Sequence, residues 1–208
     1  MAEKLFVSMA GNIGAGKTTA AKMISQQFGY ELFDEPVIDN RFLASYYADM
    51  PRWSFTLQLE FLIRRAEHHD IIQRVPKNCI QDRTLLEDPE VFAKYLHGLG
   101  YMTDSELALY FEYFHRINKD LIKPDKIIFL KVQDETTLQN RIQGRGRVEE
   151  KNLPISFLEG LSGYYRSLPS ICQSKYGIDT LTVDVSKLDI RSSGQTEFLD
   201  TVSTFLKA

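Results

Sequence analysis

Short apolar segments alternate with longer segments of helical periodicity along this chain. A compact apolar run bounded by turn-forming residues predicts a strand, whereas apolar positions three and four residues apart predict an amphipathic helix. By these criteria we predict strands at residues 5–10, 30–33, 79–82, 126–132 and 180–185. We predict helices at residues 18–28, 52–73, 105–122, 136–143 and 155–167, with a last helix from about residue 195.

The regular order of strand followed by helix predicts the fold class. Such alternation is typical of an α/β protein in which helices cover both faces of a parallel sheet. We therefore expect a five-stranded parallel sheet flanked by helices, in a single domain that spans residues 1–208. Ligands bind such sheets beyond the carboxyl ends of the strands, so functional side chains are expected just after each strand.

Composition excludes several classes of protein. The chain has 208 residues, of which 43% are hydrophobic and 25% charged, as in an ordinary globular domain. A net charge of −3 argues against nucleic-acid binding, and no apolar stretch has the length of a membrane span. We expect neither partner, and we interpret the N-terminal apolar run as a strand and not as a targeting signal. Cys79 and Cys172 lack metal-binding spacing, which favours reduced thiols and a cytoplasmic location.

The clearest motif follows the first predicted strand and precedes the first predicted helix. It fits the pattern G-x-x-x-x-G-K-[ST], in which backbone N–H groups surround phosphate oxygens at the positive end of a helix. The lysine can neutralise phosphate oxygens, and the following threonine can ligate Mg²⁺. The phosphate-binding residues predicted here are Gly11, Asn12, Ile13, Gly14, Ala15, Gly16, Lys17, Thr18 and the adjacent Thr19.

An acidic turn follows the second predicted strand. Pro36 restricts Glu35 to an extended conformation, which favours a stiff turn at the rim of the sheet. A carboxylate in that place can accept the proton of an attacking hydroxyl group. An ordinary solvated turn acid remains an equal alternative from Glu35 alone.

The third predicted strand ends in Asp82, Arg83 and Thr84. An acid at this point can hold Mg²⁺, directly or through water, and the neighbouring arginine can offset charge on a transferred phosphoryl group. A surface Asp–Arg pair remains the alternative interpretation.

An arginine-rich segment at about residues 141–154 has the pattern of a lid. Arg141 and Arg145 are four residues apart and so share one face of a helix, and Arg147 follows the helix-breaking Gly146. These arginines are predicted to close over phosphate groups and to exclude water. The alternative is a solvated run of charges.

Together these motifs resemble the deoxynucleoside kinase family, over nearly the whole length of the chain. The resemblance includes the phosphate loop, the Glu-Pro-Val turn, the segment Arg52-Trp53-Ser54-Phe55-Thr56 with Gln58, the Asp-Arg-Thr turn with Asp88, and the Arg-Gly-Arg-x-Glu-Glu segment. The chain is similar to the deoxycytidine, deoxyguanosine and deoxyadenosine kinases of this family. The resemblance implies a P-loop kinase fold, ATP as phosphate donor with Mg²⁺, a deoxynucleoside as acceptor, and a homodimer.

The resemblance also implies roles for individual residues. Glu35 would activate the 5′-hydroxyl, with Lys17 and Arg83 as the other catalytic residues. Thr18 and Asp82 would hold the metal, although the family more usually has glutamate in place of this aspartate. The residues implied in substrate binding are Glu35, Tyr47, Gln58, Arg65, Arg83, Asp88, Phe92 and Glu150, and those implied in donor binding include Arg141, Arg145 and Arg147. Within the long helix only Gln58 and Arg65 are expected to face the ligand, and His68 and His69 are expected to be solvated.

Three other functions are compatible with a phosphate loop. A thymidylate-type monophosphate kinase would need a positive charge where Asp34 and Glu35 stand, because its acceptor is an anion. A non-catalytic relative would be expected to lack Lys17, Glu35 or Arg83, and a P-loop switch protein would be expected to carry a base-reading motif such as N-K-x-D. Of the possible nucleosides, deoxyadenosine is favoured, while deoxycytidine and deoxyguanosine remain open. The segments after the second and third strands resemble the bacterial deoxyadenosine and deoxyguanosine kinases, and the lid segment is equally similar to the deoxycytidine kinases.

Overall fold

A computed structural model describes residues 4–35, 40–146, 150, 153–186 and 188–208. Within these residues the strands are β1 (Phe6–Ala10), β2 (Glu31–Phe33), β3 (Cys79–Gln81), β4 (Lys126–Lys131) and β5 (Asp179–Asp184). They form a parallel sheet in the order β2-β3-β1-β4-β5. The prediction of a five-stranded parallel sheet flanked by helices is confirmed.

The helices in the described part of the chain are α1 (Lys17–Phe28), α2 (Leu43–Ala48), α3 (Met50–Arg74), α4 (Lys94–Gly98), α5 (Asp104–Asn118), α6 (Glu135–Arg145), α7 (Ile155–Tyr165), α8 (Leu168–Tyr176) and α9 (Gln195–Lys207). A π-helical turn at Asp88–Ala93 leads directly into α4. The sequence analysis missed α2, α8 and the segment from the π-helical turn to α4. The helices α2 and α4 are too short to show a period, and α8 starts within three residues of the end of α7.

The central strands β1 and β4 explain why the apolar runs were recognisable in the sequence. All five residues of β1 and four of the six in β4 are buried, because helices cover both faces of the sheet. The edge strand β5 has one buried residue, Val183, and is correspondingly more polar. Cys79 and Cys172 are buried and unpaired. Of the helices described, none is long and apolar enough to cross a bilayer.

Candidate active site

A cavity of about 470 Å³ lies beyond the carboxyl ends of the strands. Its walls come from the phosphate loop, α2, α3, the turn after β3, the π-helical turn, α6 and α7. Many of the side chains proposed from the sequence line it, namely Ile13, Gly14, Gly16, Lys17, Thr18, Thr19, Glu35, Tyr47, Gln58, Arg65, Arg83, Asp88, Phe92, Arg141, Arg145 and Glu150. Gly11, Asn12 and Asp82 do not line the cavity, Ala15 lines a smaller neighbouring recess, and Arg147 lies outside the described residues.

The glycines of the phosphate loop are required by close backbone approaches. Gly11 has a φ of +147°, and a Cβ atom there would lie 2.8 Å from the carbonyl oxygen of Leu130. Gly14 has a φ of +81°, and its Cβ would lie 2.7 Å from the carbonyl oxygen of Leu138. A larger residue at either place would push the loop away from β4 or α6, so the glycines fix both its shape and its position.

Lys17 is buried at the base of this loop. Its Nζ donates to the carbonyl oxygens of Gly11 at 2.6 Å and Asn12 at 3.1 Å. Burial lowers the pKa of Lys17 to about 8, and the charge of Arg83 acts in the same direction. Asn12 in turn donates to Ser162 at 2.9 Å and to the carbonyl oxygen of Leu158 at 3.1 Å, which anchors the loop on α7.

Thr18 and Asp82 form a pair suited to a divalent cation. The Thr18 hydroxyl donates to Oδ2 of Asp82 at 2.5 Å, while Oδ1 of Asp82 is buried and has no hydrogen-bond partner. Burial raises the pKa of Asp82, and the nearby Glu35 carboxylate raises it further. A buried oxygen without a partner next to a threonine hydroxyl fits the requirements of Mg²⁺, which takes one or two protein oxygens together with phosphates.

Glu35 lies between two arginines. Arg83 Nε donates to Oε1 of Glu35, and Arg65 Nη2 is 3.6 Å from the same oxygen. The Glu35 side chain is 11% exposed, so the two guanidinium groups offset the cost of burying its charge. Arg83 also packs its guanidinium over the ring of Phe92 at 4.8 Å. Pro36, which was expected to stiffen this turn, lies outside the described residues.

The far end of the cavity holds a group of buried polar side chains. Arg65 Nε donates to Oδ2 of Asp88 at 2.7 Å. Burial raises the pKa of Asp88 to about 6, although the charge of Arg65 opposes the rise. Arg65 Nη1 and Gln58 Oε1 are buried without hydrogen-bond partners, so both are available to a ligand in the cavity.

Tyr47, Arg145 and Glu150 form another part of the wall. Arg145 Nη2 donates to Oε2 of Glu150. Burial raises the pKa of Tyr47, and the charge of Glu150 raises it further, so this phenol stays protonated and can donate a hydrogen bond.

Arg141 lies on α6, next to the phosphate loop. It donates to the carbonyl oxygens of Ala15 at 3.3 Å and Val185 at 3.1 Å, and it joins the main cavity to a recess of about 320 Å³ that Arg191 also lines. Arg141 and Arg145 therefore both reach the cavity, as their spacing predicts. Because residues 147–149 and 151–152 lie outside the described residues, the lid stays a prediction.

Several residues at the site were missed or misjudged in the sequence analysis. Leu57 and Phe61 of α3 line the cavity, although they were expected to be ordinary core residues. Tyr46, Phe157 and Arg191 also line it.

His69 is buried, although it was expected to be solvated. Its Nδ1 lies 2.7 Å from the carbonyl oxygen of Ile122, and its Nε2 lies 3.2 Å from Gln81. Glu87 was also missed, although its buried carboxylate contacts both the phosphate loop and the turn after β3.

Comparisons of the sequence with known proteins show the family of this chain. The family model described as Deoxynucleoside kinase matches residues 7–207. The chain is 33% identical to the deoxyguanosine kinase of Bacillus subtilis (strain 168) over 186 residues, which cover 88% of each protein. It is 34% identical to the deoxyadenosine kinase of Dictyostelium discoideum over 163 residues, which cover 78% of this chain and 66% of that one.

Solved structures give the same result. The structure of deoxyadenosine kinase from M. mycoides with bound dATP superposes with a TM-score of 0.82 at 30% identity, and the match covers 94% of this chain and 98% of that one. The family match therefore extends over nearly all of the chain and includes the phosphate loop and the cavity described above. This protein is a kinase that belongs to the deoxynucleoside kinase family.

Proposed function

We propose that the enzyme transfers the γ-phosphoryl group of ATP to the 5′-hydroxyl of a deoxynucleoside, with deoxyadenosine as its main substrate. The observation that carries this proposal is the position of Glu35 in a single cavity. Its carboxylate lines the same cavity as the phosphate loop and the buried polar group around Gln58, Arg65 and Asp88. It lies 3.6 Å from Arg65, and its charge also acts on Lys17 of the loop. An acceptor whose base occupies that polar end would present its sugar hydroxyl to Glu35.

In this mechanism the protein's own groups bind the two substrates, accept a proton and stabilise charge. Glu35 accepts the proton of the attacking hydroxyl. Lys17 and Arg83 stabilise the charge on the transferred phosphoryl group, and their fixed positions avoid reorganisation during the reaction. Thr18 and Asp82 would hold Mg²⁺, which would neutralise charge on the donor phosphates. Tyr47 and Glu150 would hold the sugar 3′-hydroxyl, and Phe92 would pack near the base.

The free polar atoms at the far end support a base with an amino group. Adenine presents an N–H donor beside a ring-nitrogen acceptor, and the Gln58 amide can bond both. Gln58 Oε1 is a buried acceptor without a partner, which suits the adenine amino group. Cytosine has the same adjacent donor and acceptor, whereas guanine presents a carbonyl oxygen in place of the amino group. The buried Arg65 Nη1 donor without a partner would in turn suit the guanine carbonyl oxygen, so deoxycytidine and deoxyguanosine are both kept as alternatives.

A panel of acceptors tests the proposal. ADP formation from ATP and Mg²⁺ is measured in parallel with deoxyadenosine, deoxycytidine, deoxyguanosine, thymidine and dTMP, and again with excess EDTA. We expect turnover with deoxynucleosides, the highest kcat/KM with deoxyadenosine, and none with dTMP or with EDTA. Turnover with dTMP alone would establish a monophosphate kinase instead, and a higher kcat/KM with another base would reassign the substrate.

We also propose that the enzyme acts as a homodimer in the cytoplasm. Four large apolar side chains are 41–50% exposed on the packed helices α3 and α5, namely Ile63, Ile71, Leu109 and Tyr113, and a second copy would cover this face. The two free cysteines support a reducing compartment. Light scattering coupled to size-exclusion chromatography tests the dimer, and a monomeric mass at assay concentrations would contradict it.

The pH dependence of kcat/KM for the acceptor is expected to follow the ionisation of Asp88. Because its pKa is about 6 and Arg65 pairs with the ionised form, kcat/KM for the deoxynucleoside should fall about tenfold per pH unit below pH 6. In Asp88→Asn this acid limb should disappear, while the activity at pH 8 is already reduced because the base site has lost its carboxylate. Initial rates from pH 5 to 8 measure both profiles, and an unchanged acid limb in Asp88→Asn would assign it to another group.

A further inference from the structure

Glu87 is a fully buried carboxylate that joins three separate segments of the site. Its Oε1 accepts hydrogen bonds from the backbone N–H of Gly11 at 3.2 Å and from the Tyr165 hydroxyl at 2.7 Å. Its Oε2 accepts from the backbone N–H of Thr84 at 3.0 Å. The phosphate loop, the turn after β3 and α7 are thus tied to one side chain that does not line the cavity.

The turn that Glu87 holds contains a strained residue. Arg83 has a φ of 79°, and in the described part of the chain it is the one residue other than glycine with a positive φ. A left-handed conformation costs a side-chain-bearing residue roughly 1–2 kcal/mol, so surrounding contacts must maintain it. Thr84 is fixed directly after it by bonds from its N–H to Glu87 and to the carbonyl oxygen of Met9 at 2.8 Å.

Glu87 also acts on the Arg83 side chain. Arg83 Nη1 lies 3.6 Å from Oε1 of Glu87 and donates to the Tyr165 hydroxyl at 3.1 Å. The guanidinium is therefore held from one side by Glu87 and Tyr165 and from the other by Glu35. With these contacts, the Arg83 guanidinium lies over the Phe92 ring at the wall of the cavity.

We infer that Glu87 is a positioning residue that fixes the position of Arg83 relative to the start of the phosphate loop. It does not touch the cavity and acts through these two elements. This inference rests on the proposed role of Arg83 in phosphoryl transfer. As a consequence, the distance between the donor phosphates and Arg83 depends on the Glu87 carboxylate, because that carboxylate contacts both the phosphate loop and Arg83.

The charge and both oxygens of Glu87 are needed for this arrangement. A glutamine in its place would have the same shape, but its amide nitrogen cannot accept a hydrogen bond. Either the backbone N–H of Gly11 would then lose its acceptor, or that of Thr84 would keep only the carbonyl oxygen of Met9 and face an amide N–H group. In both cases Arg83 would lose a neighbouring negative charge. A displacement of about 1 Å at the reacting groups costs up to about 10²-fold in rate.

The test compares Glu87→Gln with Glu90→Gln. Glu90 is a matched control because it is also buried and accepts from three donors, Lys94, Lys175 and Tyr176, yet does not line the cavity. For Glu87→Gln we expect kcat to fall about 10²-fold. We expect KM for the deoxynucleoside to stay unchanged, because the base-site contacts of Gln58 and Arg65 do not involve Glu87. Glu90→Gln should keep its kcat, even if its Tm falls.

The outcomes separate the inference from the proposed function. An unchanged kcat in Glu87→Gln, or an equal loss in Glu90→Gln, would overturn the inference. If Glu87→Gln does not fold, Tyr165→Phe replaces it, because this change removes one bond to Glu87 and one to Arg83; a lower kcat at constant KM supports the inference and an unchanged kcat overturns it. A wild-type enzyme that phosphorylates no deoxynucleoside would instead contradict the proposed function.

Discussion

Replacing Glu35 with glutamine is expected to lower kcat by roughly 10²–10⁴-fold while ATP affinity changes little. The glutamine keeps the size of the side chain and can still accept from Arg83, but it has no basic oxygen to take the hydroxyl proton. Binding of ATP depends on the phosphate loop and on Lys17, whose Nζ is held by the carbonyl oxygens of Gly11 and Asn12. Steady-state rates at saturating substrates and ATP binding by calorimetry measure the two quantities separately.

Two further variants distinguish loss of the base from general disruption. Glu35→Asp keeps a carboxylate one methylene further back, so its kcat should lie between those of the wild type and Glu35→Gln. Glu60→Gln is the matched control, because Glu60 is likewise a buried acid between two arginines, Arg41 and Arg64, but lies outside the cavity. A normal kcat in Glu35→Gln, or a comparable loss in Glu60→Gln, would remove Glu35 from the mechanism.

The parts of the site that could be predicted from the sequence are those whose residues lie close together in the chain. The phosphate loop depends on glycines and a lysine within eight positions, and the structure shows why, since Gly11 and Gly14 each approach a carbonyl oxygen too closely for a Cβ atom. The acid and arginine at the end of β3 were predicted because a buried strand precedes them. Local patterns thus indicated the sheet and the phosphate-binding end of the cavity.

The parts that could not be predicted depend on contacts between distant positions. Glu87 lies 76 residues from Gly11 and 78 from Tyr165, and nothing in its own neighbourhood distinguishes it from a solvated acid. Helix α3 has buried residues on several sides, so its periodicity did not separate Leu57 and Phe61 from the core. His69 was misjudged because its partners, Gln81 and the carbonyl oxygen of Ile122, lie on β3 and after α5.

The pairing of Arg65 with Asp88 shows how the two kinds of information combine. The family resemblance implied the pair, and the structure places the two groups 2.7 Å apart with both side chains almost fully buried. The geometry adds that Arg65 Nη1 and Gln58 Oε1 are left without partners, which no sequence pattern contains. This donor and this acceptor can each form a hydrogen bond with a base that carries an acceptor and a donor on one edge.

Substitutions at Arg83 are expected to separate catalysis from backbone strain. Arg83→Ala and Arg83→Gly both remove the guanidinium, and each should lower kcat by about 10³-fold or more, as with other arginines that stabilise transferred phosphoryl groups. Their stabilities should differ, because alanine keeps the unfavourable φ of 79° whereas glycine adopts it without strain. We expect the free energy of unfolding of the glycine variant to exceed that of the alanine variant by about 1 kcal/mol.

Both variants should be less stable than the wild type, since each removes the guanidinium that pairs with the buried carboxylates of Glu35 and Glu87. Urea denaturation of the three proteins measures the differences, and Arg83→Lys serves as the control that keeps a positive charge. Equal stability of the alanine and glycine variants would show that the turn relaxes once the arginine is gone. A stability gap together with equally low kcat values would show instead that the strained backbone is retained to present the Arg83 guanidinium to the cavity.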